Sequence, residues 1–157
     1  MADPAEFLAV AEEAADLAGR VIRPLFRSAL LVEAKGDASP VTEADRAAER
    51  AIRDLLATRL PSHGVIGEEY GEDRPDAEWA WVLDPIDGTR AFVAGRPLFG
   101  TLIGLLHRGV PVLGLIDQPV TGERWIGVAG RPTRLVSPIG GVAGCRPCTT
   151  LADAELS

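Results

Sequence analysis

The chain contains little cysteine and no long apolar segment, and both shortages exclude classes of protein. Its 157 residues include two cysteines, Cys145 and Cys148, in the stretch GCRPC. A lone CxxC pair cannot complete a zinc site and here lacks the βαβ context of a redox motif, so we interpret it as incidental. No uninterrupted apolar run approaches membrane-spanning length, and the acidic N-terminus MADPAEFLAV lacks the apolar core of a signal peptide. These features predict a cytoplasmic protein with no membrane partner.

Basic residues are also scarce relative to acidic ones. The chain has 16 Lys and Arg against 23 Asp and Glu, which gives a formal net charge of −7. This balance argues against nonspecific binding to nucleic acids or anionic membranes. Hydrophobic residues make up 46% of a chain that is long enough for one domain with a core. We therefore expect a globular protein that binds no nucleic acid.

Two amphipathic helices precede a series of strands. Apolar residues at three- and four-residue spacing predict one helix over 7–25, bent or frayed near Pro24, and a second that begins in TEAD at 42–45 and ends at Pro61. The predicted strands span 64–67, 79–84, the two arms of a hairpin within 99–117, and 123–128. This order predicts an α+β fold in which two N-terminal helices pack on a mostly antiparallel β-sheet.

The segment WAWVLDPIDGTRAF, residues 79–92, places two carboxylates on one predicted turn. Proline cannot donate to a sheet ladder and disfavours a helical residue before it. The strand is therefore predicted to end at Asp84, and the chain to turn sharply through Pro85 to Gly88. Ordinary surface turns also use Asp, Pro and Gly. A hard cation between Asp84 and Asp87 would instead relieve the repulsion between them.

Three further carboxylates occur in specific local contexts. Glu68 and Glu69 follow the apolar stretch at 65–67, and Asp45 lies at the start of the second predicted helix. Oxygen ligands without nearby His or Cys suit Mg²⁺ better than zinc. Two such ions a few Å apart form the clamp used for in-line phosphoryl displacement. The short helix predicted to begin at Gly88-Thr89 would turn its free amides toward an anion.

Each of these residues also has a simpler explanation. Asp45 could complete a capping box with Thr42. The pair at 68–69 could be solvated charges at a strand end. Thr89 could be a plain helix cap, and Lys35 an exposed loop lysine. Spacing alone does not decide between these roles and a metal site.

The motifs GEE at 67–69, DPIDGT at 84–89 and SPVTEAD at 39–45 resemble, in order and spacing, the inositol monophosphatase-like family of Mg²⁺-dependent phosphatases. The resemblance extends from the first helix to about residue 130, and DPIDGT is a highly specific signature. With Arg90 after the threonine, the stretch DGTRAFVAGRPLFGTLIGLL is most similar to the bacterial histidinol-phosphatase branch. Inositol monophosphatases more often carry Thr-Asn at this point.

The resemblance implies a set of site residues. The implied metal ligands are Glu68, Asp84, Asp87 and the backbone carbonyl of Ile86. Asp45 and Thr89 would orient and deprotonate the attacking water, while the amides of Gly88 and Thr89 would bind the phosphate. Lys35 matches a lysine near the outermost metal water. A complete site of this family would use two or three Mg²⁺ ions to hydrolyse a small phosphorylated alcohol by in-line attack, and inhibition by lithium is expected.

The sequence departs from the family pattern after the hairpin. The family continues into a second α/β lobe with another aspartate, after a tryptophan or in a Gly-Gly-Asp context, whereas Trp125 is followed here by Ile126. We expect a metal-binding first lobe at 1–130 and the beginning of an incomplete second lobe, or a tail, at 131–157.

This departure leaves three interpretations open. They are a truncated histidinol-phosphatase-like enzyme that could be inactive alone, an inositol-1-phosphate phosphatase, and a non-catalytic metal-binding or interaction module. Surfaces that the second lobe would cover predict a homo-oligomer, or a missing C-terminal lobe as the partner.

Overall fold

The computed structural model describes residues 3–28, 32–34, 40–144 and 148–150, and it confirms the predicted α+β fold. Two helices, α1 and α2, pack on one face of a seven-stranded sheet, and a two-stranded ribbon leads into α2. The helices are α1 (Leu8–Leu25), α2 (Glu43–Arg59) and α3 (Thr89–Val93). The strands are β1 (Val32–Ala34), β2 (Pro40–Thr42), β3 (Gly64–Gly67), β4 (Gly71–Asp73), β5 (Trp79–Asp87), β6 (Gly100–His107), β7 (Val110–Gln118), β8 (Glu123–Val128) and β9 (Arg134–Val136).

Helix α1 can pack closely on the sheet because its buried face is built largely of alanine. The buried alanines are Ala11, Ala14, Ala15 and Ala18. A 3₁₀ turn at Pro4–Phe7 precedes the helix, and Pro24 lies in its last turn, one residue before the helix ends. The predicted bending or fraying at Pro24 stays a prediction. In the described part of the chain, no helix is long and apolar enough to cross a bilayer.

The large sheet has the strand order β4-β3-β5-β6-β7-β8-β9. Its β3–β5 pair is parallel and its other neighbouring pairs are antiparallel, as the predicted architecture requires. The predicted hairpin is present as β6 and β7, with Arg108 and Gly109 at its turn. Strand β9 continues the sheet beyond residue 130, while the division into lobes at that residue stays a prediction.

The prediction that strand β5 ends at Asp84 is wrong. The strand continues to Asp87 through a bulge, because Asp84 pairs with Leu102 and Asp87 with Gly100. Two residues of β5 therefore oppose one residue of β6. Pro85 lies in the bulge, where a missing ladder donor is tolerated. The bulge turns Asp87 to the solvent while Ile86 remains buried.

The face of the sheet away from α1 and α2 carries an apolar furrow with a cavity volume of about 480 Å³. Its floor is a row of glycines, since Gly104, Gly114 and Gly127 are in register across three neighbouring strands. Val82 and Ile116 line it and are 37% and 46% exposed. The furrow is thus an accessible apolar surface, and Asp84 lies among its lining residues.

Candidate active site

The β3–β4 turn and the bulged end of β5 lie at the same edge of the sheet because β3 and β5 are parallel neighbours. Gly67 is the register partner of Leu83, and the Glu68 amide donates to the Leu83 carbonyl at 3.2 Å. The side chain of Glu68 forms a hydrogen bond with Asp84. Two acids sixteen positions apart in the sequence are therefore in contact.

The Asp84 carboxyl lies at the centre of a group of acids. Its pKa is raised from 3.8 to about 7, first by burial and then by the hydrogen bond and negative charge of Glu68 and the charges of Asp87 and Asp45. Its Oδ1 atom is buried without a hydrogen-bond partner in the described structure. Glu68 and Asp87 are exposed, while Asp45 is buried. An unpartnered buried carboxylate oxygen surrounded by other carboxylates is suited to a cation.

Asp45 is held by the first turn of α2. Its Oδ2 atom accepts hydrogen bonds from the Thr42 amide, at 2.8 Å, and from the Thr42 hydroxyl. The Asp45 amide donates in turn to the Thr42 Oγ1 atom at 3.3 Å. The capping box that was one explanation for Asp45 is therefore present. The same carboxylate is close enough to Asp84 to raise the pKa of that residue.

The turn into α3 contains the remaining predicted site residues. Gly88 has a φ of 92°, which favours glycine, and a Cβ atom there would lie in tight contact, 3.1 Å, with the Leu98 carbonyl oxygen. Gly88 is the N-cap residue, and Thr89 follows it as the first residue of the helix, so Thr89 is not the cap. The Thr89 hydroxyl donates to the Ile86 carbonyl at 3.0 Å. Burial of Phe92 anchors this short helix to the core.

The structure brings Asp45, Glu68 and Asp87 within electrostatic reach of Asp84. No three His, Cys, Asp or Glu side chains of the described residues are yet arranged as a ligand cluster. Lys35 and Cys145 lie outside the described residues, and Cys148 is exposed.

Two buried polar residues near the site escaped the sequence analysis. The Thr101 hydroxyl, fully buried in β6, donates to the Pro85 carbonyl in the bulge at 2.8 Å. Glu49, fully buried in α2, accepts backbone hydrogen bonds from the turn after β3. A signal existed for Glu49, since it lies four residues after Asp45 and one after Ala48 on the buried face of an amphipathic helix. We find no such signal for Thr101.

Comparison with known proteins decides the family. The model of the inositol monophosphatase family matches residues 3–149. The chain belongs to the inositol monophosphatase family. It is 49% identical over 152 residues to a chloroplastic bifunctional phosphatase of Arabidopsis thaliana, covering 96% of this chain and 43% of the relative. It is 40% identical over 134 residues to a histidinol-phosphatase of Mycobacterium tuberculosis, covering 85% of this chain and 50% of the relative.

Solved structures share this fold. An inositol monophosphatase from Zymomonas mobilis is 46% identical with a TM-score of 0.74, and the match covers 93% of this chain and 56% of that one. The extragenic suppressor protein suhB from Bartonella henselae is 32% identical with a TM-score of 0.79, covering 83% of this chain and 52% of that one. The chain thus spans about half the length of the relatives it matches.

Proposed function

We propose that this chain forms the Mg²⁺- and phosphate-binding part of a phosphomonoester hydrolase. The observation that carries the proposal is the buried Oδ1 atom of Asp84, which has no hydrogen-bond partner in the described structure. The same carboxyl group is hydrogen-bonded to Glu68 and feels the charges of Asp87 and Asp45. Protonation of Asp84 relieves the repulsion among these acids in the absence of metal. A divalent cation would relieve it while leaving all four ionised.

The donor set fits magnesium because it consists of oxygen atoms alone. Glu68, Asp84, Asp87 and the carbonyl of Ile86 would hold the ions, two or three in a complete site. When bound, Mg²⁺ supplies a Lewis acid that neutralises the charge on the phosphoryl oxygens and on the leaving alkoxide.

The remaining predicted residues would orient and deprotonate the water and bind the phosphate. The Thr89 hydroxyl donates its hydrogen bond to the Ile86 carbonyl, so the hydroxyl oxygen can accept a hydrogen bond from a water molecule. We assign the orientation of the water to Thr89 and the acceptance of its proton to the Asp45 carboxylate. The amides of Ala91 and Phe92 donate to the Gly88 carbonyl. We propose the amides of Gly88 and Thr89 as the phosphate donors, as the resemblance implies.

We propose histidinol phosphate as the substrate. Support comes from Arg90 after the DGT motif and from the histidinol-phosphatase of Mycobacterium tuberculosis among the relatives. Inositol 1-phosphate is the second candidate, because the Zymomonas mobilis inositol monophosphatase is 46% identical. A comparison of both esters, with and without Li⁺, distinguishes the two.

The partner that we propose for the furrow is a polypeptide equivalent to the half of the relatives that this chain does not match. The furrow is apolar, accessible, and contains Asp84 among its lining residues, so a lobe seated there would also close the site. A second copy of the chain is the competing occupant. Sedimentation of the chain alone and with that half, taken from the Zymomonas mobilis protein, distinguishes them. Association with the added half supports the proposal, and dimerisation of the chain alone contradicts it.

The test of the function is Mg²⁺-dependent release of phosphate from both esters. We expect the chain alone to bind Mg²⁺ weakly and to hydrolyse either ester slowly or not at all, and the added half to raise the rate. Asp87→Asn should abolish the raised rate, whereas the matched variant Asp76→Asn, at an exposed position outside the site, should not. Failure of the added half to raise the rate, with Mg²⁺ bound, would favour a non-catalytic metal-binding module.

A further inference from the structure

Glu49 is a buried carboxylate whose bonding partners all lie in or beside one turn. Its side chain has 0% exposure, so its charge must be compensated locally. Arg53, one turn later in α2, donates its Nε–H to Glu49 Oε1 at 2.8 Å. The amide of Glu69 donates to Glu49 Oε2 at 2.7 Å, and the amide of Tyr70 donates to Oε1 at 3.2 Å.

These backbone bonds hold the turn that carries Glu68. Glu69 and Tyr70 follow Glu68 directly, and the guanidinium of Arg53 also donates to the Gly71 carbonyl at the start of β4. On its other side, the Glu68 amide donates to the Leu83 carbonyl in β5. The backbone around Glu68 is therefore fixed from α2 and from β5 at once. Its exposed side chain depends on this backbone for its direction.

Gly67 shows how closely the turn approaches Glu49. A Cβ atom at Gly67 would lie 1.9 Å from Glu49 Oε1 and 2.4 Å from Glu49 Cδ. Any side chain at this position would displace the Glu49 carboxylate. The φ angle of Gly67 is not in the left-handed region, so the close approach and not backbone strain explains the glycine.

We infer that Glu49 is a positioning residue, which fixes the backbone at 67–70 so that the Glu68 carboxylate faces Asp84. The inference rests on the proposed function, in which Glu68 is a Mg²⁺ ligand. Glu49 itself bonds to the backbone of the turn and to Arg53. It acts on metal binding through the direction of Glu68.

The experiment measures the affinity of the 157-residue chain for Mg²⁺ by calorimetry, with folding checked by circular dichroism at the same temperature. Glu49→Gln keeps the size of the side chain but replaces one acceptor oxygen with an amide group that cannot accept from the turn. We expect it to weaken Mg²⁺ binding by about tenfold, as outer-shell partners do. Asp54→Asn removes the same charge from an exposed position of the same helix and should change the affinity less than about twofold.

A double-mutant cycle separates positioning from general damage to the fold. If Glu49 acts through Glu68, then Glu49→Gln should have little further effect on Mg²⁺ affinity in a Glu68→Gln background. Gly67→Ala leaves every carboxylate in the chain and should weaken Mg²⁺ binding as much as Glu49→Gln does. If Glu49→Gln does not fold, the Mg²⁺ affinity of Gly67→Ala tests the inference.

Two results would overturn the inference, and they differ in what they imply for the role of Glu68 as a ligand. Wild-type affinity in folded Gly67→Ala and Glu49→Gln, with affinity lost in Glu68→Gln, would refute the positioning role and leave the proposed function standing. Wild-type affinity in Glu68→Gln would instead refute the assignment of Glu68 as a ligand, and the inference would fail with it.

Discussion

The most direct consequence of the acidic cluster is that the chain should lose stability as pH rises when no metal is present. The pKa of Asp84 is raised from 3.8 to about 7, so the native chain holds a proton that the unfolded chain has released between about pH 4 and pH 7. Stability contributed by that proton is complete below pH 4 and is lost as pH rises through 7. The Asp84→Asn variant has no such proton to lose.

The size of the effect follows from the pKa of Asp84. At about 1.4 kcal/mol for each tenfold change in proton affinity, a shift from 3.8 to about 7 corresponds to about 4 kcal/mol. Glu68 and Asp87 are exposed, and solvent screens their charges, so about 2 kcal/mol is expected. Burial lowers the pKa of His63, which produces a slope of the opposite sign in this range. The difference between wild type and Asp84→Asn cancels that contribution.

Urea unfolding at pH 5 and pH 8, in chelator and in Mg²⁺, tests this reasoning. In chelator, wild type should lose about 1 kcal/mol more than Asp84→Asn between the two pH values, because part of the full effect falls below pH 5. At pH 8, Mg²⁺ at a hundred times its dissociation constant should restore about 2.7 kcal/mol to wild type and little to the variant. Equal pH dependence of the two proteins in chelator would refute the assignment of the proton to Asp84.

Three further substitutions test how the site is supported, each by urea unfolding. Thr101→Val leaves the buried Pro85 carbonyl without its donor and should cost about 1–3 kcal/mol, whereas Thr101→Ser, which keeps the hydroxyl, should cost less. Arg124→Met leaves the buried Asp117 without its ion-pair partner and should cost about 3 kcal/mol at pH 7. This cost should shrink at pH 5, because burial raises the pKa of Asp117, and an unchanged cost would contradict the ion-pair explanation. Gly88→Ala imposes a positive φ on alanine and should cost about 1–2 kcal/mol, so a neutral result would contradict the strain argument.

The helices and longer strands could be predicted because each is long enough to show a period. Helix α2 and strand β8 lie within a residue or two of their predicted bounds. Strands β1, β2, β4 and β9 have three residues each, too few for an apolar alternation to be seen. The end of strand β5 was predicted wrongly for another reason, because an Asp-Pro pair is compatible both with a turn and with a bulge. Pairing with β6, which is a non-local contact, decides between them.

The meeting of Glu68 and Asp84 could not be derived from local pattern alone. It depends on β3 and β5 lying parallel as neighbours, although β4 separates them in the sequence and pairs antiparallel with β3. The residue types alone offered a shared metal site as one of two explanations, and only the resemblance to a family favoured it before the structure did. Glu49 was overlooked for a related reason, because its partners are backbone amides twenty and twenty-one residues away.

Asp45 shows that a structural role and a proposed chemical role need not compete. Read from sequence, capping of α2 and activation of water were alternative explanations for one side chain. In the structure the Thr42 bonds hold one oxygen of Asp45, which fixes the rotamer of the carboxylate and keeps its charge within reach of Asp84. A general base has to be held in place before its basicity matters. The cap at Thr42 provides that constraint, so finding the capping box strengthens the case for Asp45 in the proposed reaction.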